Sequence, residues 1–142
     1  MSDQNKELVR RAARALGEDD FAAVAQEVFH PEFVNHEAAE ARPDGPAGMI
    51  ETASWLRETF GNPTLEVQDI VAEGDRVVVR VLCKGTHVGE LMGIPPTGRS
   101  FEVQQFHEYR IQDGQIAEHW ACRDDLGMMR QLGVIPDRQM AG

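Results

Sequence analysis

The chain has 142 residues, with 24 acidic against 14 basic side chains and a formal charge of −10 near neutral pH. That length suits one domain with a real core, read as 1–142, and the acidic balance disfavours nucleic-acid backbones and anionic membranes as partners. The opening MSDQNKELVRR has no apolar leader region, and no stretch approaches the roughly 18 apolar residues of a membrane span, so the expected location is the cytoplasm.

The first third has helical periodicity. From Asn5 to Leu16 the apolar residues Leu8, Val9, Ala12, Ala13 and Leu16 recur at helical spacing, with Ser2 or Asp3 as N-cap and Gly17 as stop. Asp19 or Asp20 caps a second, short helix, FAAVAQEVF, which ends before His30-Pro31 because the residue preceding proline is pushed out of the helical region. A brief extended segment, Pro31-Glu32-Phe33-Val34, leads to Asn35 and His36. A third helix runs from Ala47 to Phe60 with Met49, Ala53, Leu56 and Phe60 on one face. Trp55 lies off that stripe, where its indole either walls a pocket or packs on a neighbour.

The second half alternates with the period of strands. Leu65 to Val71 is one strand, Glu73-Gly74-Asp75 a turn, and Arg76 to Gly89 a long strand with Val77, Val79, Val81 and Cys83 on one face and His87 in the same parity. In SFEVQQFHEYRI, Gln105 and His107 share parity with Phe101, Val103, Tyr109 and Ile111, so two polar side chains interrupt an apolar face. His119 follows in GQIAEHWACRDD. Imidazole changes charge near neutral pH, and several on a concave sheet surface are how a small pocket acquires proton-transfer chemistry. Cys83 and Cys122 fall inside strand-like runs and are read as reduced, buried thiols.

Whether His107 and His119 meet depends on the turn between their strands. A two-residue Asp113-Gly114 loop of type I′ sets His107 opposite Trp120 and sends His119 to the other face. A three-residue loop, Gln112-Asp113-Gly114, sets His107 opposite His119, Gln105 opposite Ala121 and Tyr109 opposite Ala117. The second register is preferred, because it matches large residues with small ones on the crowded concave side, and it turns Trp120 outward.

The stretch THVGELMGIPPTGRSFEVQQFHEYRIQDGQIAEHWACRDDLGMMRQLG, together with HPEFVNHE and the order of helices, resembles the SnoaL-like polyketide cyclases, often labelled ester cyclases. The resemblance implies a cystatin-like α+β barrel of the kind nuclear transport factor 2 also adopts: N-terminal helices packed on a strongly bent antiparallel or mixed sheet, enclosing a cone-shaped pocket. It also implies intramolecular aldol ring closure of a hydrophobic carbonyl compound of polyketide type, with no metal or organic cofactor, in a homodimer or higher homo-oligomer. In the characterised cyclases an aspartate on the last strand is thought to act as general acid and base. The matching position here is Ala121, and losing such a group removes a factor of roughly 10²–10⁴ in rate. Asp124 stands close by, as a replacement base or a group orienting His119, or else as the N-cap of the final helix LGMMRQL, the role also assigned to Asp125.

The expected catalytic set is therefore His107, His119 and Asp124, with Asn35, His36, His87, Gln105 and Trp55 contacting substrate and His30 on the surface. Two rival functions follow from the same residues. One is a binding or accessory protein that has lost its base, suggested by Ala121. The other is a metal enzyme using His87, His107, His119 and an acid. The GIPPTGR loop is stiffened by two prolines and serves as a rim or a structural connection. No Gly-rich phosphate cradle, CxxC pair or GxSxG elbow is present.

Overall fold

The computed structural model describes residues 2–38 and 42–136. Its elements follow in the order α1 (Ser2–Ala15), α2 (Phe21–Val28), β1 (Phe29–Asn35), α3 (Pro46–Phe60), β2 (Thr64–Glu73), β3 (Arg76–Thr86), β4 (Ser100–Gln112), β5 (Gln115–Arg123) and α4 (Asp125–Gln131). The architecture is α+β, with helices packed on a mixed sheet whose strand order is β1-β5-β4-β3-β2. β1 runs parallel to β5 at one edge, and the other neighbours are antiparallel.

Helix α1 buries the stripe Val9, Ala12, Ala13 and Ala15 and lies against β2. Helix α2 ends at Val28 because Phe29 is already extended (φ −94°, ψ 134°) ahead of His30-Pro31. The concave face of the sheet supplies Val77, Val79 and Val81, each at most 1% exposed. Such side chains contribute about 1.5–3 kcal/mol each on burial, so this row anchors the helices to the sheet. They join Phe33, Ile116 and the buried faces of α1 and α2 in one core. A second cluster, built from Phe60, Cys83, Phe101, Val103 and Leu132, closes the far end of the sheet under α4.

Three features differ from the sequence expectation. The segment after Pro31 is a full edge strand, whose partner β5 lies more than eighty residues away in sequence. β3 stops at Thr86, because the backbone of His87 turns to bond Arg99 and Gly98 instead of continuing the ladder.

The third difference is the register of the β4–β5 hairpin. Gln112 pairs with Gln115, so the turn is the two-residue one, with Asp113 (φ 53°) and Gly114 (φ 74°) both left-handed as type I′ requires. The ladder then runs Ile111↔Ile116 but Arg110↔Glu118, which leaves Ala117 as a bulge and makes Ile116 and Ala117 consecutive buried residues. The extra residue reverses the parity of everything after it. His119 therefore faces the concave side, opposite Tyr109, while His107 stands opposite Ala121 and Gln105 opposite Arg123.

Candidate active site

The bulge brings four polar side chains into one hydrogen-bonded row. His107 Nε2 lies 2.8 Å from Gln105 Oε1, His107 Nδ1 lies 2.7 Å from His119 Nε2, and His119 Nδ1 lies 2.8 Å from Asn35 Oδ1. Asn35 is pinned in turn: its Oδ1 accepts the backbone N–H of Glu37 at 3.0 Å, and its Nδ2 donates to Met49 Sδ at 3.6 Å. Asn35 reaches the row because β1 is in register with β5, with Asn35 directly beside His119. Tyr109 stacks on His119 with centroids 4.9 Å apart.

Both imidazoles are buried, at 7% and 8% exposure. Burial, aided by the Arg123 cation, holds His107 down to about 4. Burial also lowers His119, to about 3, with smaller contributions from the charges of His107, Arg123 and His36. The pair is thus neutral near neutral pH and able to accept a proton. Burial raises the Tyr109 phenol well above its ordinary value, so it stays un-ionised.

The unfolded chain binds more protons than the folded one between the folded values and the ordinary imidazole value of about 6.5. Stability is therefore complete above about pH 6.5 and is lost as pH falls, by at most about 1.4 kcal/mol per pH unit for each ring. Thermal melts in the wild type should lose Tm below neutral pH, and the slope should shrink in a His107→Phe, His119→Phe double variant. Equal slopes in the two proteins would contradict these depressed values.

Other expected site residues lie elsewhere. His36 turns to the outer face of the sheet, stacked on Trp120 at 4.7 Å and bonded to Glu118 at 3.0 Å. Trp120 faces outward as expected, against His36 and the Arg76 guanidinium. His87 is fully buried, its Nδ1 accepting the Thr97 N–H at 3.2 Å, so it ties down the GIPPTGR loop. It follows the end of β3, eight residues beyond Val79, the cross-strand neighbour of His107, and its ring bonds Thr97 and not the pair. Among the described residues no group of three or more His, Cys, Asp or Glu is arranged to hold a metal ion. Trp55 is 40% exposed, set edge-on to Phe60 and beneath Arg42.

Asp124 is the N-cap of α4: its Oδ1 accepts the Gly127 N–H at 2.9 Å. Gly127 makes room for it, since a Cβ there would lie 2.2 Å from Asp124 Oδ2. Asp124→Ala should lower stability by about 0.5–2 kcal/mol, the usual loss for a cap, while leaving turnover per folded molecule unchanged. Denaturant melts beside an activity assay would check this, and a collapse of turnover without loss of stability would reinstate Asp124 as a base.

Arg123 is a site residue that the sequence reading passed over. It shares the concave parity of His119 and Ala121, faces Gln105 across the ladder, and engages Glu37 and Asp125 only loosely, at 3.7 and 3.8 Å. Its period-two spacing after His119 was the available signal. A cavity of about 160 Å³ meets the row at Asn35, lined by Phe33, Arg42, Asp44, Gly48 and Met49. Met49, Ile50 and Leu56 of α3 fill much of the concave side.

The model of the SnoaL-like polyketide cyclase family matches residues 6–132. The chain belongs to the SnoaL-like polyketide cyclase family. Within it, the chain is 38% identical over 130 residues to the aklanonic acid methyl ester cyclase DnrD of Streptomyces peucetius, covering 89% of each protein. It is 38% identical over 109 residues to the nogalonic acid methyl ester cyclase of Streptomyces nogalater, covering 75% of this chain and 81% of that one. Its fold superposes on TsrD from Streptomyces laurentii with a TM-score of 0.84 at 32% identity, over 94% of this chain and 97% of that one. In this member of the family the imidazoles of His107 and His119 are adjacent on the concave sheet, and Ala121 sits directly opposite His107.

Proposed function

We propose that this SnoaL-like cyclase closes a ring by intramolecular aldol addition in a polyketide methyl ester, without metal or organic cofactor. The observation that carries the reading is the buried row Gln105–His107–His119–Asn35 on the concave sheet. The imidazole pair takes the proton from carbon next to a carbonyl. The resulting enolate carbon attacks a second carbonyl carbon, forming the C–C bond, and the new alkoxide recovers the proton from the pair. The imidazoles replace the aspartate absent at Ala121, which removes the ground for a binding-only role.

A carbon acid of this kind is far weaker than the imidazolium it would form, so the enolate needs direct stabilisation. Arg123 is the group assigned to its oxygen, being a cation on the same face with loosely held partners. Asn35 fixes the His119 ring by accepting from Nδ1. Pockets that bury drug-sized ligands measure roughly 300–1,000 Å³, so a polycyclic ester requires the 160 Å³ cavity to widen, and the flexible Met49 side chain beside Asn35 is the piece to move.

The test is incubation of the purified protein with aklanonic or nogalonic acid methyl ester, in D₂O and in water. Formation of an isomeric ring-closed product, and deuterium entering recovered substrate at the acidic carbon, are expected. Absence of both sinks the proposal.

We also propose a homodimer. The outer sheet face leaves Phe106 46% and Val71 58% exposed, and Cys122 beside Phe106 is exposed as well, not buried as its strand-like run suggests, because its parity turns it away from the concave side that buries Cys83. Sedimentation should find twice the chain mass, and a monomer at high concentration would refute it. Among the described residues no helix is long and apolar enough to cross a membrane, and action in the cytoplasm is part of this reading.

A further inference from the structure

The row of contacts contains a proton count that fixes more than its distances. Three contacts join four side chains: Gln105 to His107, His107 to His119, and His119 to Asn35. Each contact needs one hydrogen, and two neutral imidazoles carry only two ring N–H groups between them. Working from the Asn35 end, the Asn35 oxygen already accepts from the Glu37 backbone N–H, so turning that amide over would set NH₂ against N–H. Asn35 therefore presents oxygen, and His119 must donate from Nδ1. A neutral His119 then offers a lone pair at Nε2, which His107 must fill from Nδ1. A neutral His107 is left with a lone pair at Nε2, 2.8 Å from the Gln105 carboxamide.

With its oxygen toward that nitrogen, Gln105 sets two lone pairs against each other at a buried site, an arrangement that is costly in low dielectric. With NH₂ there, every contact is satisfied by two neutral rings. The oxygen orientation suits a pair that has gained one proton, because His107 Nε2 then carries an N–H. The oxygen and nitrogen ends of a carboxamide have nearly the same shape, so the turn needs no repacking.

We propose that the Gln105 carboxamide is a proton-coupled positioning group: it presents NH₂ to His107 while the imidazole pair is neutral and turns over to present oxygen when the pair accepts a proton. Gln105 is then not a substrate contact but the group that lets a closed row hold either two ring protons or three. The surroundings favour this assignment. The groups facing the pair are Arg123 on β5, Tyr109 on β4, Asn35 on β1 and Met49 on α3, with Val77 and Val79 from β3. Glu37 and Asp125 are paired with Arg123, His36 lies behind the sheet, and the Cys83 thiol is further along the same face. Among the described residues, Gln105 is the side chain placed within hydrogen-bond distance of His107 Nε2. Arg123, directly across the ladder from Gln105, gives the outward-turned oxygen a cation beside it.

The inference rests on the pair being the proton acceptor of the proposed reaction, but it is tested on substrate-free protein, so the two can fail separately. Long-range proton–nitrogen correlation spectra of ¹⁵N-labelled protein near neutral pH should show both His107 and His119 as the Nδ1–H tautomer. Nε2–H on either ring, or an imidazolium, overturns the proposal, since the oxygen-facing amide would then be the resting state. A Gln105→Glu variant, whose ionised carboxylate can only accept, should lock the three-proton state and raise the pH at which the pair takes up its proton by about 1–3 units. An unchanged titration in that variant, with the tautomers intact, overturns it equally.

Discussion

Replacing His119 with phenylalanine is expected to slow ring closure by about 10²–10⁴, the range for loss of a positioned acid–base group. The loss should fall on kcat, with KM nearly unchanged, because the ring acts on a proton that moves only in the transition state. Phenylalanine fills similar space beside Tyr109, so packing is largely kept, but His107 Nδ1 and Asn35 Oδ1 lose a buried partner. Each such loss costs about 1–3 kcal/mol, so melting curves must accompany the kinetics to separate fewer folded molecules from slower ones. Turnover within a few-fold of wild type, in folded protein, would remove the imidazole pair from the mechanism.

Arg123→Gln is expected to lower kcat by about 10²–10³, the scale for removing one donor aimed at a developing oxyanion. The same change should raise the proton affinity of both imidazoles, because the Arg123 charge helps depress them. The two effects oppose each other in a telling way. A better base with a slower reaction locates the lost stabilisation at the enolate, whereas loss of proton affinity control alone would leave kcat unchanged or higher. Arg123→Lys keeps the charge but not the planar two-pronged donor, so it should recover only part of the rate. Steady-state kinetics and NMR titration of the two rings provide both readings.

Much of the fold was legible along the chain because its signals are local. The three N-terminal helices follow from apolar spacing and from Gly17 and His30-Pro31, and the concave row Val77, Val79, Val81 and Cys83 from strict alternation. Asp124 was readable as a cap from its place before LGMMRQL, and the structure gives it that bond. The GIPPTGR loop was readable as rigid, though not that His87 fastens it.

The site was less legible because three non-local choices build it. The Asp113-Gly114 turn that forms and the three-residue loop both suit the local residues, and the turn that forms would by itself have put His119 outside. The Ala117 bulge, invisible in an alternating sequence where Ile116 and Ala117 are both apolar, restores it to the face of His107. Asn35 enters only because β1 pairs with β5, and the same pairing leaves His36 on the opposite side, against Trp120. Arg123 reads as a solvent-facing cation near the end of a strand, and only the register places its exposed side chain on the face of His119.

The residues by themselves determined the α+β class, the family, and the presence of imidazoles along the final strands, since periodicity, caps and motif spacing act over a few neighbours. Only the tertiary structure decided which of those imidazoles meet and which carboxamides complete their row. A side chain's face depends on one residue of register, and register is set by pairing between segments far apart in the chain.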